Sequence, residues 1–128
     1  MVSKGLRSWF VVHFILDVLL GVPLILAPVQ LLSFFGWTTI DPITARMVGA
    51  ALMGIGIESY LGRNADLQAY QGMLNLKIIW SGAAIIGFVL SILTGYQPWG
   101  IWLLLIIFIA FNILWVYYRL KLRVKKDY

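Results

Sequence analysis

An imidazole and a carboxylate four residues apart, His13 and Asp17, stand inside an apolar run. Further ionisable or amide side chains recur in the other apolar runs: Arg46 and Glu58, then Asn75 and Lys77, then Asn112. A spacing of four puts His13 and Asp17 on one helix face, within reach of a direct hydrogen bond. The proton chemistry this suggests is a change of protonation at Asp17 or Glu58, with Lys77 or His13 as partner. Asp17, Glu58, Arg46 and Lys77 sum to zero charge, as a network withdrawn from water requires. An ionisable group at the centre of a membrane span costs about 2.5–3.5 kcal/mol on the insertion scale, against about 0.3–0.6 gained per Leu, Ile, Val or Phe. One such group therefore cancels the gain from several apolar residues.

The elements that must position these groups follow from composition. Of 128 residues, 62% are hydrophobic and 12% charged. A soluble domain carries about 25% charged residues, so neither a soluble fold nor disorder fits. Apolar runs cover about 9–29, 42–62, 67–93 and 100–118, each near the roughly 20 residues that cross about 30 Å of hydrocarbon as a helix. Asp41-Pro42 reads as an N-cap followed by proline at the first helical position. Arg63 and Asn64 close that second helix, the third starts after Asp66, and Thr94-Gly95-Tyr96-Gln97-Pro98 turns the chain into the fourth. Residues 28–37, mostly apolar, are too short to span and read as a short helix lying in the membrane interface. The expected fold is an all-α, polytopic, single transmembrane domain: a four-helix bundle.

Lys4 and Arg7 precede the first span, Arg63 lies in the second connection, and Arg119, Lys121, Arg123, Lys125 and Lys126 crowd the last ten positions, whereas segments 30–40 and 94–100 have no Lys or Arg. This asymmetry places both termini in the cytoplasm, in a membrane expected to be a prokaryotic plasma membrane. Asp17, and Pro28 where small cleavage-site residues would stand, oppose a cleaved signal peptide. Counting 1.5 Å per residue from boundaries near Ser8, Arg63, Tyr70 and Arg119 puts His13 and Glu58 about 7–8 Å deep, Lys77 and Asn112 about 10 Å and Asp17 about 13 Å. His13, Asp17, Glu58, Lys77 and Asn112 thus form one predicted layer, a ligand site or ion pathway. Arg46, about 7 Å from the outer boundary, either pairs with Asp17 or snorkels outward. Lys77 also has a stem long enough to snorkel. Gly49, Ala50 and Gly54 are the predicted packing residues of the second helix, with Ala50-x-x-x-Gly54 as a small-residue pair on the stripe Arg46, Ala50, Gly54, Glu58.

Several chemistries drop out. The chain has no cysteine, so disulfides, thiolate metal sites and iron–sulfur clusters are excluded. It has no phosphate loop, dinucleotide fingerprint, Gly-x-Ser-x-Gly elbow or His-Glu-x-x-His pair. A metal on His13, Asp17 and Glu58 is opposed by Lys77 at similar depth, and no cofactor is expected. Lipid headgroups, rather than nucleic acid, are the expected anionic partner of the basic tail.

Phe35-Gly36-Trp37, Asp41-Pro42, Arg46, Gly49-Ala50, Gly54-Ile55-Gly56 and Glu58-Ser59 resemble small prokaryotic four-helix membrane proteins of the DoxX-like type over roughly residues 10–62. Asn112-x-x-Trp115 is similar to a fragment of the sterol-isomerase and sigma-2-receptor group, whose members bind apolar ligands beside intramembrane acids. That likeness carries over no catalytic residue. Three functions stay open: an oligomeric transporter or channel for a small ion or solute, a binder or enzyme for an apolar ligand such as a lipid, quinone or sterol-like compound, and an accessory subunit of a larger membrane complex. A bundle core filled by side chains leaves no channel of its own, so a transport pathway implies a homo-oligomer.

Overall fold

The computed structural model describes residues 1–124; Lys125 and Lys126 lie outside the described residues. The described residues form five α-helices: α1 (Lys4–Leu26), α2 (Pro28–Phe34), α3 (Pro42–Leu61), α4 (Leu67–Leu93) and α5 (Trp99–Val124), with a 3-10 turn at Gly62–Asn64. They contain no strand. By length and composition, α1, α4 and α5 up to Arg123 can cross a membrane. Helix α3, the second helix expected from sequence, is interrupted by Arg46 and Glu58 and falls short of that apolarity.

Side-chain caps set the helix starts. Ser3 Oγ accepts from Leu6 N–H, so α1 begins five residues before its apolar run. Asp41 accepts from Ile43 N–H with Pro42 at the first helical position, and Asp66 accepts from Ala69 N–H. Glycine sets two of the ends. At Gly36 (φ 92°) the amides of Gly36 and Trp37 return to the carbonyls of Ser33 and Leu32, and at Gly95 (φ 91°) those of Gly95 and Tyr96 return to Ile92 and Ser91. This left-handed closure satisfies carbonyls that the helix leaves open, and glycine adopts it without a Cβ penalty. Pro28 has no amide to extend α1 and instead opens α2, so the first helix stops at Leu26 rather than at position 29. The last helix runs past 118 to Val124, because Arg119, Lys121 and Arg123 favour the helix as a backbone state although they end its apolar stretch.

The chain divides into two compact units, Ser3–Asn64 and, with Met1–Val2, the chain from Ala65 onward. In the first, α1 and α3 pack as an antiparallel hairpin with α2 in the connection. Buried positions in α1 are Leu6, Phe10, His13, Asp17, Gly21 and Leu24, and those in α3 are Ala45, Gly49, Leu52, Gly56 and Ser59. Both series advance in steps of three or four, the period of a helical seam. At one level the two helices meet backbone on backbone. A Cβ on Gly49 would lie 2.9 Å from the Gly21 carbonyl oxygen, and one on Gly21 would lie 3.0 Å from that of Gly49. Gly49 is in this seam, while Ala50 is exposed and a Cβ on Gly54 would meet nothing within 4 Å. In the second unit α4 and α5 pair. Tyr70, Leu74, Lys77 and Ser81 are the buried positions of α4, while Ile101, Trp115 and Leu122 are buried on α5 at multiples of seven.

Candidate functional site

The first hairpin holds the acid and the imidazole. His13 Nδ1 lies 3.4 Å from Asp17 Oδ2, with the two residues 8% and 6% exposed. One turn of α1 brings the side chains together, and α3 closes over them. A Cβ on Gly56 would sit 2.6 Å from Asp17 Cβ and 3.3 Å from Oδ2, so only a residue without a side chain lets the helix backbone cover the carboxyl group. Three residues on, Ser59 is 1% exposed and donates to the Ile55 carbonyl at 2.8 Å, so the hydroxyl is satisfied within its own helix.

One predicted member of the layer, Glu58, stands apart from this pair, and so does Arg46. Glu58, next to seam residue Ser59, is exposed and does not join His13 and Asp17. Arg46 does not pair with Asp17. Its Nε donates at 3.0 Å to the Ile25 carbonyl, and it sits ten residues before Gly56, about 15 Å along α3 from the level of Asp17. The last carbonyls of a helix lack intrahelical donors and carry partial negative charge. No basic residue lies in the last turn of α1, and Arg46 supplies the cation from the neighbouring helix. The opposite end of the hairpin is built alike: Arg7 of α1 donates from Nη1 to the Arg63 carbonyl, just past the end of α3. Arg63 donates to the Tyr60 carbonyl at 2.6 Å and lies 3.9 Å from the Tyr60 ring centroid.

The second unit holds a cation and an amide. Lys77 is 3% exposed, with Nζ 5.1 Å from the centroid of the Trp115 ring, within cation–π range. Phe111 stacks on that ring with centroids 5.5 Å apart. Asn112 Nδ2 donates to Ser81 Oγ at 2.8 Å and to the Ile78 carbonyl at 3.1 Å, and Ser81 Oγ donates to the Lys77 carbonyl at 2.7 Å. This chain of bonds ties α5 to α4 one turn beyond the ammonium. Arg119 Nε donates to Asn75 Oδ1 at 2.8 Å, so Asn75 faces the basic end of α5, and Lys77 lies two residues, about 3 Å of rise, farther along α4.

Gly56, Gly21, Ser59, Ser81 and Trp115 complete these clusters and were not among the predicted site residues. Gly49 and Gly56 seven apart, with Ala45, Leu52 and Ser59 between and beside them, carry a readable signal for α3, but the Ala50–Gly54 stripe competes with it on the same helix. Among the described residues no group of three His, Cys, Asp or Glu side chains is placed to hold a metal ion. Comparison with known proteins finds no family model, no curated protein and no solved structure that matches the chain.

Proposed function

We propose that the chain is an integral membrane protein of the prokaryotic plasma membrane that moves a small ion or solute, with His13 and Asp17 as the proton-exchanging pair. The observation that carries this reading is the pair itself: an imidazole 3.4 Å from a carboxylate, both nearly buried and the carboxylate covered by Gly56, in a helix otherwise apolar enough to span. An ionisable pair kept at such a position marks ion or proton pathways more often than it marks structure. In the proposed arrangement α1, α3, α4 and α5 all span as a four-helix bundle, with both termini cytoplasmic and α2 along the outer interface. The chain works as a homo-oligomer, because its helix seams are filled by side chains. Kinship with DoxX-like proteins is part of the same proposal and supplies none of its residues.

Flux into proteoliposomes, followed with an internal pH dye under an imposed proton gradient, tests it. Wild-type protein and Glu58→Gln are expected to conduct, while Asp17→Asn and His13→Gln lose most of the flux. Unchanged flux in Asp17→Asn rejects the assignment.

The second unit favours one other reading, binding of or chemistry on an apolar ligand with an anionic or carbonyl head. There the buried Lys77 ammonium beside Trp115 would orient the head. Retention of a quinone, fatty acid or sterol-like molecule in native mass spectra, lost in Lys77→Met, is the expected result under that reading. Capture of a larger membrane complex with no flux and no ligand would instead favour an accessory subunit.

A further inference from the structure

We propose that Arg119, aligned by Asn75 and supported by Arg123, forms a binding site for the phosphate of an anionic phospholipid headgroup. Arg119 Nε donates to the neutral amide of Asn75 at 2.8 Å, which fixes the guanidinium plane without neutralising its charge. Nη1 of the same group is enclosed and has no hydrogen-bond partner, and among the described residues no carboxylate pairs with the side chain. A guanidinium presents five donors in a planar fork. Here one donor is used and the rest await acceptors. Nη1 is shut in by the chain itself, but Arg119 as a whole is part-exposed, so an acceptor from outside the chain meets its remaining donors.

Position along the helix says which acceptor. From Trp99, the first residue of α5, to Arg119 is 20 residues, about 30 Å of rise, the thickness of the hydrocarbon layer. Tyr117 and Tyr118 immediately precede it, and such rings favour the headgroup boundary. Phosphate oxygens are the anionic acceptors concentrated at that depth, and they match a guanidinium in geometry. Arg123 is one turn further along the same face and exposed, so a second cation faces the same headgroup. Lys121 points elsewhere: its Nζ lies 3.5 Å from Tyr117 Oη and 5.5 Å from that ring's centroid. It serves as an internal control of equal charge.

The test is native mass spectrometry of the full chain released from nanodiscs of mixed phosphatidylglycerol and phosphatidylcholine, with thermal stability in detergent measured against added phosphatidylglycerol. Wild-type protein is expected to retain phosphatidylglycerol over phosphatidylcholine and to melt at higher temperature as that lipid is added. Lys121→Gln should weaken binding by about fivefold at most, the factor one surface charge contributes. Arg119→Gln should weaken it by well over that factor, and Asn75→Leu, which keeps every charge, should weaken it as well. Equal retention in Arg119→Gln and Lys121→Gln would reduce the site to general surface charge and overturn the proposal. So would equal retention of phosphatidylcholine, or displacement by millimolar inorganic phosphate, which would identify free phosphate as the ligand. Melting curves without lipid separate lost binding from lost folding. None of these outcomes depends on flux through the His13–Asp17 pair.

Discussion

At the scale of single residues, the position of Asp17 is bought by a glycine on another helix. A Cβ on Gly56 would lie 2.6 Å from Asp17 Cβ, a distance at which something must shift, whereas one on Gly54 meets nothing within 4 Å. The same change made two residues apart on one helix should therefore have opposite effects. Gly56→Ala is expected to destabilise the first hairpin by about 1–3 kcal/mol, as overpacking does. Gly54→Ala should be neutral or gain up to about 1 kcal/mol from helix propensity. Reversible unfolding in mixed detergent micelles would measure both, and equal destabilisation would refute the seam. Asp41 supplies a second contrast, outside the spanning segments. Hydrogen bonds from Thr44 Oγ1 and Ile43 N–H hold its carboxyl below the usual carboxylate range. A group with a lowered folded pKa stabilises fully above its unfolded value, and that contribution is lost as pH falls through the folded one. Wild type should thus lose stability relative to Asp41→Asn as pH drops from about 5 to about 3, because the amide still caps but cannot titrate. A difference that stays constant over that interval would show that the cap does not depend on ionisation.

At the scale of elements, the first hairpin is clamped at both ends by arginines that each close the other helix. Arg46 of α3 donates to the Ile25 carbonyl at the end of α1, and Arg7 of α1 donates to the Arg63 carbonyl past the end of α3. The two clamps are about 27 Å apart along the helices and share no partner, so their losses should add within about 0.5 kcal/mol. Arg46→Ala and Arg7→Ala are each expected to cost about 0.5–1.5 kcal/mol, the net worth of such a hydrogen bond, with Arg46→Lys recovering part of it through charge alone. Chemical denaturation of the two single variants and the double variant would check this. A double variant no worse than either single one would mean that the clamps act as one unit. Capping chemistry is also where the sequence was most legible. Asp41-Pro42, Asp66 and Gly95 state helix ends through short-range bonds at fixed spacing, and α4 occupies the expected 67–93. The start of α1 is not legible from its apolar run, which marks where a helix can enter lipid, while Ser3 marks where the backbone turns helical. Packing faces were illegible for a different reason: helices apolar on every side have no amphipathic contrast, so only glycines distinguish one stripe from another.

At the scale of the whole molecule, the proton exchange proposed at Asp17 acquires a direction only if both sides of the membrane are assigned, and α3 is the element that decides it. Helices α1, α4 and α5 are apolar enough to cross, whereas α3 carries Arg46 and Glu58. Two observations favour a crossing α3 all the same. Its backbone runs antiparallel to α1 in van der Waals contact at Gly21 and Gly49, and its exposed side chains include Ile43, Met47, Val48, Ile57 and Leu61, a surface suited to acyl chains. Arg46 meanwhile spends its donor on a carbonyl near the hairpin's end, which lowers the cost of holding a guanidinium there. The chain has no cysteine, so single thiols can be introduced without a background. Ser3→Cys, Asn64→Cys and Arg123→Cys should react with a membrane-impermeant maleimide only after the inner face is opened, and Thr38→Cys and Gln97→Cys in intact cells. Labelling of Asn64→Cys on the same side as Thr38→Cys would mean that α3 does not cross. That result would leave three spans and put the N- and C-terminal ends of the described chain on opposite faces. The positive charges of Lys4 and Arg7 would then lie across the bilayer from Arg119 and Lys121, against the strong preference of such residues for the cytoplasmic side.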